Sequence, residues 1–225
     1  MGWFDSLCSG ISSAFSAVCS TVSSIGSALS SFAVSVGSVI MSAISTVSNV
    51  IQIVGIALGI IKPNENIEVL GDKALQAAAA GIHPENFSKY DEYLAEIRAF
   101  NINPEKFKSY TTEEKMLAGI GVTCKGIEEK FNLREGSVGQ LAAMTALNPI
   151  YFNAMRLEKW IATGLDIGKV VDYFDNKLGA SDSFKVESEI IATEQQDSNK
   201  TEMQIEQEIE QTKTDIYQAA QQLDK

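Results

Sequence analysis

From Ser6 to Ile61 the chain runs 56 residues without one charged side chain, although Lys, Arg, Asp and Glu make up 21% of the whole sequence. A stretch of that length facing water ordinarily carries charge. Its absence predicts a segment built for lipid or for burial against other protein. Within it, large apolar residues recur at Leu7, Ile11, Phe15, Val18, Val22, Ile25, Leu29, Phe32, Val36 and Val39, in steps of three and four. That spacing lines one face of an α-helix. Serines keep the same rhythm on the opposite side, so the pattern is amphipathic with a neutral, hydroxyl-bearing polar face.

The neutral face separates several readings. A helix lying on a bilayer surface carries Lys or Arg on its wet side, and a soluble coiled coil flanks its seam with charge. Neither feature is present. Small residues with Ser and Thr instead let membrane helices approach closely, and Gly55 and Gly59 bracket one such pattern, Gly55-Ile56-Ala57-Leu58-Gly59. A ring of such helices would turn aliphatic faces to lipid and hydroxyls towards a lumen. The candidate pore-lining residues are Ser20, Ser24, Ser27, Ser31, Ser35, Ser38, Ser42 and Ser45, and Gly55 and Gly59 are the candidate helix-packing residues.

A bilayer span needs about 20 residues, so the segment has length for a helical hairpin, or for one pass with an extension. Val39 to Ile61 is the best single span, although Ser42, Ser45, Thr46, Asn49 and Gln52 interrupt it. That composition predicts conditional insertion rather than an obligate anchor. Burial in a structural oligomer is the competing expectation. A secretory signal is not the expectation, because the positive n-region is missing and the apolar run is too long. Met1 to Ser6 matches a myristoylation pattern with Cys8 nearby, but Trp3 and Asp5 suit that motif poorly.

The formal net charge is −11, and only Asp5 among the charged residues precedes Lys62. So acidic a remainder argues against nucleic acid as a partner and against unaided adsorption to anionic lipid. Cys8, Cys19 and Cys124 have no metal-ligand or CxxC spacing, and read as small buried apolar residues compatible with synthesis in a reducing cytoplasm.

Beyond Lys62 the pattern stays helical. Helices are expected near 67–80, 84–100, 112–132, 137–147, 149–163 and 166–178. Thr111 with Glu114, and Ser137 with Gln140, read as capping boxes. Trp160, Tyr151, Phe152, Tyr173, Phe174, Phe131 and Phe100 are the core candidates. Ile82-His83-Pro84-Glu85-Asn86-Phe87 through Tyr90 recurs 20 residues later as Ile102-Asn103-Pro104-Glu105-Lys106-Phe107 through Tyr110, and Asn148-Pro149 echoes the same start. A polar residue, then Pro, then Glu is a helix-start signal. Residues 181–200 read as a polar linker, and Ile205, Ile209, Thr212, Ile216, Ala219 and Leu223 as the apolar stripe of a docking helix.

The expectation is therefore an all-α protein in four parts. Residues 1–62 form a long uncharged Ser/Gly-rich amphipathic helix or hairpin, and 63–180 a compact acidic helical domain. Residues 181–200 are the linker and 201–225 a C-terminal amphipathic helix. No Ser nucleophile elbow, phosphate-binding Gly-rich loop or His/Cys metal cluster occurs. The single histidine, His83, stands at a helix start. The expectation is a non-enzyme with no catalytic residue, metal or cofactor.

An uncharged serine- and glycine-rich segment, Ser6–Ile61 with Gly55 and Gly59, ahead of an acidic helical region without a catalytic constellation resembles small antibacterial effectors of the type VI secretion system. It is most similar to those that form cation-selective pores and depolarise the inner membrane of rival cells. The likeness is compositional and covers a quarter of the chain. It implies manufacture in a bacterial cytoplasm, secretion with a tube or spike component or a chaperone, and action at a target cell's inner membrane as a homo-oligomer. It also implies an immunity protein in the producer. The alternatives are a structural or ejection component of a phage or contractile injection machine, and a holin-like membrane protein.

Overall fold

A computed structural model describes residues 13–102, 109–196 and 198–223, and these are all-α: eleven α-helices and one short 3-10 turn, with no strand among the described residues. In chain order the helices are α1 (Ser13–Ser23), α2 (Ser27–Met41), α3 (Ile44–Ala57), α4 (Ile67–Ala79), α5 (Tyr90–Ala99), α6 (Thr112–Phe131), α7 (Ser137–Leu147), α8 (Ala154–Ala162), α9 (Ile167–Phe174), α10 (Ala180–Gln195) and α11 (Glu202–Leu223).

Helix α6 is the axis of the molecule, and α1, α2, α3, α4, α5 and α7 all pack on it. Its charges cluster towards the ends, and Leu117 through Cys124 are buried without interruption. A helix apolar all round belongs inside. Glycines let its neighbours come close. A Cβ on Gly119 would lie 2.0 Å from the Ile67 carbonyl oxygen, and one on Gly71 1.9 Å from that of Lys115, so α4 and α6 cross backbone to backbone. Gly121 of α6 and Gly139 of α7 make room for the Phe32 ring, and Gly126 for Ile60.

One continuous core runs from Cys19 to Ala220. The charge-free helices supply Val22, Ile25, Leu29, Phe32, Val36, Val39, Ile40, Val47, Ile51 and Val54 to it, all buried. Position 62 is thus a boundary in composition and not in packing. At the other end, Tyr151, Phe152, Trp160 and Phe174 form an aromatic cluster whose ring centroids lie 5.1 to 6.3 Å apart. Arg156 stacks on Tyr151 at 3.9 Å. It also pairs with Glu194, which accepts from Trp160 Nε1 at 3.0 Å. Tyr173 is buried beside this cluster, whereas Phe131 and Phe100 are only half-buried.

Several expected boundaries change. Residues 13–57 form three helices, not one rod or a simple hairpin, broken at Ser24–Gly26 and Ser42–Ala43. The expected linker at 181–200 is mostly helix α10, which buries Val186, Ile190 and Ile191. Those residues keep helical spacing that the polar composition hides. Pro84 opens only a 3-10 turn, Pro84–Asn86, with α5 starting at Tyr90. The second copy of that repeat falls largely outside the described residues. Asn148-Pro149 precedes α8 by several residues, and Asn153 is the cap, accepting from the Arg156 N–H at 3.1 Å. The Thr111–Glu114 capping box is present. Ser137 instead begins α7, and buried Glu128 reaches across from α6 to accept the Val138 N–H at 2.9 Å.

Candidate functional site

Within α1–α3 the two faces separate only in part, since Val34 and Ile53 are exposed and Ser48 is buried. Large apolar side chains turn to α6 and α7, while Ser20, Ser24, Ser27, Ser31, Ser42 and Ser45 are exposed and Ser35 and Ser38 half-buried. Of the eight candidate serines, Ser27, Ser31, Ser35 and Ser38 share one helix, α2. Ser20 belongs to α1 and Ser45 to α3, whereas Ser24 and Ser42 sit in the two breaks. The structure therefore brings four of the eight onto a single helix. Ser31 and Ser35 border a cleft of about 420 Å³ between α2 and the body, across which stand Lys125, Glu128 and Arg134.

The glycine pair divides. Gly55 is buried, with Ile61 and Thr123 packed where a side chain would go. Gly59 lies beyond the end of α3 with φ 70°, a left-handed conformation that glycine reaches without steric cost. The Ile60 and Ile61 N–H groups both donate to the Gly55 carbonyl, at 2.8 and 2.9 Å, and close the helix. The five-residue pattern is thus a helix terminus rather than a continuous packing stripe.

Among the described residues no single helix is long and apolar enough to cross a membrane. One bent pair, Leu29–Met41 with Ile44–Ala57, has the combined length and composition, and its halves meet at 119°. Helix α2 has 15 residues, about 22 Å at 1.5 Å per residue, against a hydrocarbon layer of about 30 Å. The expected span Val39–Ile61 crosses both the bend and the end of α3.

Side chains of the body fasten this segment at three places. At its C-terminal end, Lys130 Nζ donates to the Leu58 carbonyl at 2.7 Å, and Arg98 Nη2 donates to that of Ile60. Gln52 adds a two-way clasp there, donating to the Glu65 carbonyl at 2.7 Å and accepting the Ile67 N–H at 2.6 Å. Farther up, the Thr21 hydroxyl donates to Glu114 Oε1 at 2.6 Å. At the break between α1 and α2, His83 Nδ1 lies 2.9 Å from the Ile25 carbonyl, and Glu85 Oε1 accepts the Ser27 N–H and hydroxyl at 2.5 and 2.6 Å. The sequence flagged His83 and Glu85 as a helix start; no signal in it pointed to partners 58 residues away.

The carboxylates at these joints differ. Burial pushes Glu85 upward, but bonds from Ser27 and from its own backbone, with the His83 charge nearby, hold it below the ordinary range. Glu65 is likewise pushed up by burial and pulled lower overall by Arg98 and the Lys62 N–H. Glu128 goes the other way, because burial outweighs the backbone N–H groups it accepts. Cys19 and Cys124 are free and buried. No cluster of His, Cys, Asp and Glu suited to a metal ion occurs among the described residues. Comparison with protein-family models, with curated proteins and with solved structures finds no match.

Proposed function

We propose that this protein is a membrane-inserting toxin that carries its charge-free helices stowed in a water-soluble fold and releases them into a target bilayer to form a small ion-conducting pore. The observation that carries the reading is the outer face of those helices. About one in three exposed residues between 62 and 223 is charged, whereas none of the exposed residues between 17 and 61 is. Packing against α6 accounts for the inner apolar stripe. It does not account for the outer one, where Lys or Glu would cost nothing in water. Each such residue at a bilayer centre would cost about 2.5 to 3.5 kcal/mol, so a segment that enters a bilayer before its lumen forms excludes charge from both faces.

Stowage and insertion are energetically compatible. In water, undocking α1–α3 exposes at least ten large apolar residues, each worth about 1.5 to 3 kcal/mol of burial. Lipid tails are as apolar as the core they leave, so the bilayer removes most of that penalty. A continuous span needs the 119° bend to open, and the exposed hydroxyls of Ser31 and Ser45 within it are then the neutral oxygens offered to ions. Neutral oxygens solvate cations through their lone pairs, which favours modest cation preference. The antibacterial context is an immunity partner, delivery by a secretion tube or spike, and action at the inner membrane. That context rests on the compositional resemblance. No catalytic step is proposed.

The test is membrane potential together with entry of an impermeant dye, in bacteria that export the chain to the periplasm. Depolarisation without dye entry is expected, and replacing Ser31, Ser35 and Ser38 with Leu should abolish conductance while leaving membrane association intact. Exported protein with no depolarisation would overturn the reading in favour of a structural part of an assembly. Dye entry would favour a holin-like lesion.

A further inference from the structure

The turn that carries His83, Pro84 and Glu85 sits astride the break between α1 and α2, and its contacts are those of a clasp. Helix α2 has no side-chain cap of its own, its N-cap being Gly26. Glu85 supplies one from 58 residues away by accepting the Ser27 N–H, and the Ser27 hydroxyl donates to the same oxygen. A carbonyl only accepts, so the His83 ring must carry its proton on Nδ1 to bond the Ile25 oxygen. One turn thus satisfies a carbonyl within the break and the first amide of α2. An unpaired helix end is the alternative when it lets go.

The turn is itself held to the body. The Ile82 N–H donates to the Ala77 carbonyl at 2.9 Å, and within the turn the Asn86 side chain accepts the His83 N–H at 2.8 Å. The Phe87 and Tyr93 rings meet at 5.9 Å. Gly26 fits against it with nothing to spare: a Cβ there would stand 2.6 and 2.8 Å from the Glu85 carboxylate oxygens and 3.0 Å from Pro84. The extended backbone of Gly26, φ 161° and ψ 173°, is open to any residue. A side chain at this position would therefore displace the Glu85 carboxylate from the clasp.

We infer that residues 83–86 are an autoinhibitory latch, which keeps α1 and α2 docked and sets how readily they leave the body. This inference rests on the membrane-insertion reading for its purpose, and on the contacts above for its existence. The other end of the segment is anchored by Lys130, Arg98 and Gln52, so the arrangement is a flap hinged near residues 58–67 and latched near 25–27. Opening therefore starts at the latch. Besides the latch, the Thr21 hydroxyl bonds Glu114, and apolar packing of Val22, Leu29, Phe32 and Val36 holds α1 and α2 to the body.

The experiment compares full-length protein with Glu85→Ala, Gly26→Ala and the control Glu92→Ala. Amide hydrogen exchange is read in water. Ion release is read from vesicles of phosphatidylethanolamine and phosphatidylglycerol. Glu85→Ala and Gly26→Ala should each raise exchange about tenfold across residues 17–41, the range of one lost charge-assisted bond, with α4 to α9 unchanged. Both should speed ion release to the same final extent, and the control should do neither. Unchanged exchange in 17–41, or a rise spread over the whole fold, would overturn the latch. A local rise in exchange with no ion release from any variant would sustain the latch and reject membrane insertion.

Discussion

The two ends of the described chain, α1–α3 and the α10–α11 pair, both lay aliphatic stripes on the same core. In α2 the stripe is Leu29, Phe32, Val36 and Val39; in α11 it is Ile205, Ile209, Thr212 and Ile216. Their outer faces differ. Helix α11 shows Glu202, Glu206 and Glu210 to solvent, whereas α2 shows Ser27 and Ser31. The inner stripe follows from the fold in both regions, so it distinguishes nothing. What a helix carries where the fold asks nothing of it is the more informative face. The two regions also differ in what they touch: α1–α3 all pack on the central α6, while α10 and α11 reach the body through α7, α8 and α9.

The largest effect that would break this comparison comes from removing each region in turn. Loss of residues 1–61 strips Phe32 from Gly121 and Gly139, and Ile60 from Gly126. It leaves buried Leu117 to Cys124 of α6 facing water on several sides. Residues 62–225 alone should show no cooperative thermal transition by circular dichroism. Residues 1–179 lose a peripheral pair of helices and should keep one, with a lower Tm. A cooperative transition in 62–225 would mean that the charge-free helices are an addition to the core and not its wall.

That wall was only partly legible in the sequence. Thr111 and Glu114 marked the start of α6, and the stripe at Ile205, Ile209, Thr212 and Ile216 marked α11, although its end buries Ala220 rather than the expected Ala219 and Leu223, because caps and apolar spacing are local signals. The breaks in α1–α3 have no such signal. Ser42–Ala43 is as good a helix former as its neighbours, and the break at Gly26 is held by His83 and Glu85 across 58 residues. Tertiary contact bears on the break at Gly26, whereas at Ser42 the bond is local, its hydroxyl donating to the Val39 carbonyl at 2.6 Å. Helix α10 was hidden for a different reason: Ser, Glu and Gln dominate its composition, and Val186, Ile190 and Ile191 are too few to stand out against a polar background. The hydroxyl face was legible residue by residue, but which serines share a helix depended on the bend.

A smaller effect sharpens the contrast between outer faces. Ser20→Lys, Ser45→Lys and Asn49→Lys alter exposed positions, and each should change folding stability by no more than about 0.5 kcal/mol in urea unfolding. Ion conductance of the triple variant should nevertheless be lost. The matching set on α11, Gln207→Lys, Gln218→Lys and Gln221→Lys, also exposed, should leave both stability and conductance alone. Conductance surviving three lysines on α1 and α3 would remove the reason for reading the neutral face as a lipid adaptation.

The smallest expected effect is in pH, and it divides the joints of the charge-free segment from the joint between α6 and α7. Glu65 and Glu85 are held below their ordinary range in the folded state. Their contribution is present above the unfolded pKa, near 4.3, and is lost as pH falls through the lower folded value. Glu128 is raised, so its contribution is full below the ordinary range and declines as pH rises through the folded value. Urea unfolding from pH 7 to pH 3 should therefore show stability falling at the acid end, with a shallower fall in the double variant Glu65→Gln with Glu85→Gln. Glu128→Gln keeps an oxygen to accept the Val138 N–H and sheds the buried charge, so relative to the parent it should be more favourable at pH 7 than at pH 3. If Glu128→Gln costs the same at both, burial of its charge is not what shapes that joint. The change in stability between pH 7 and pH 3 would then owe nothing to the joint between α6 and α7.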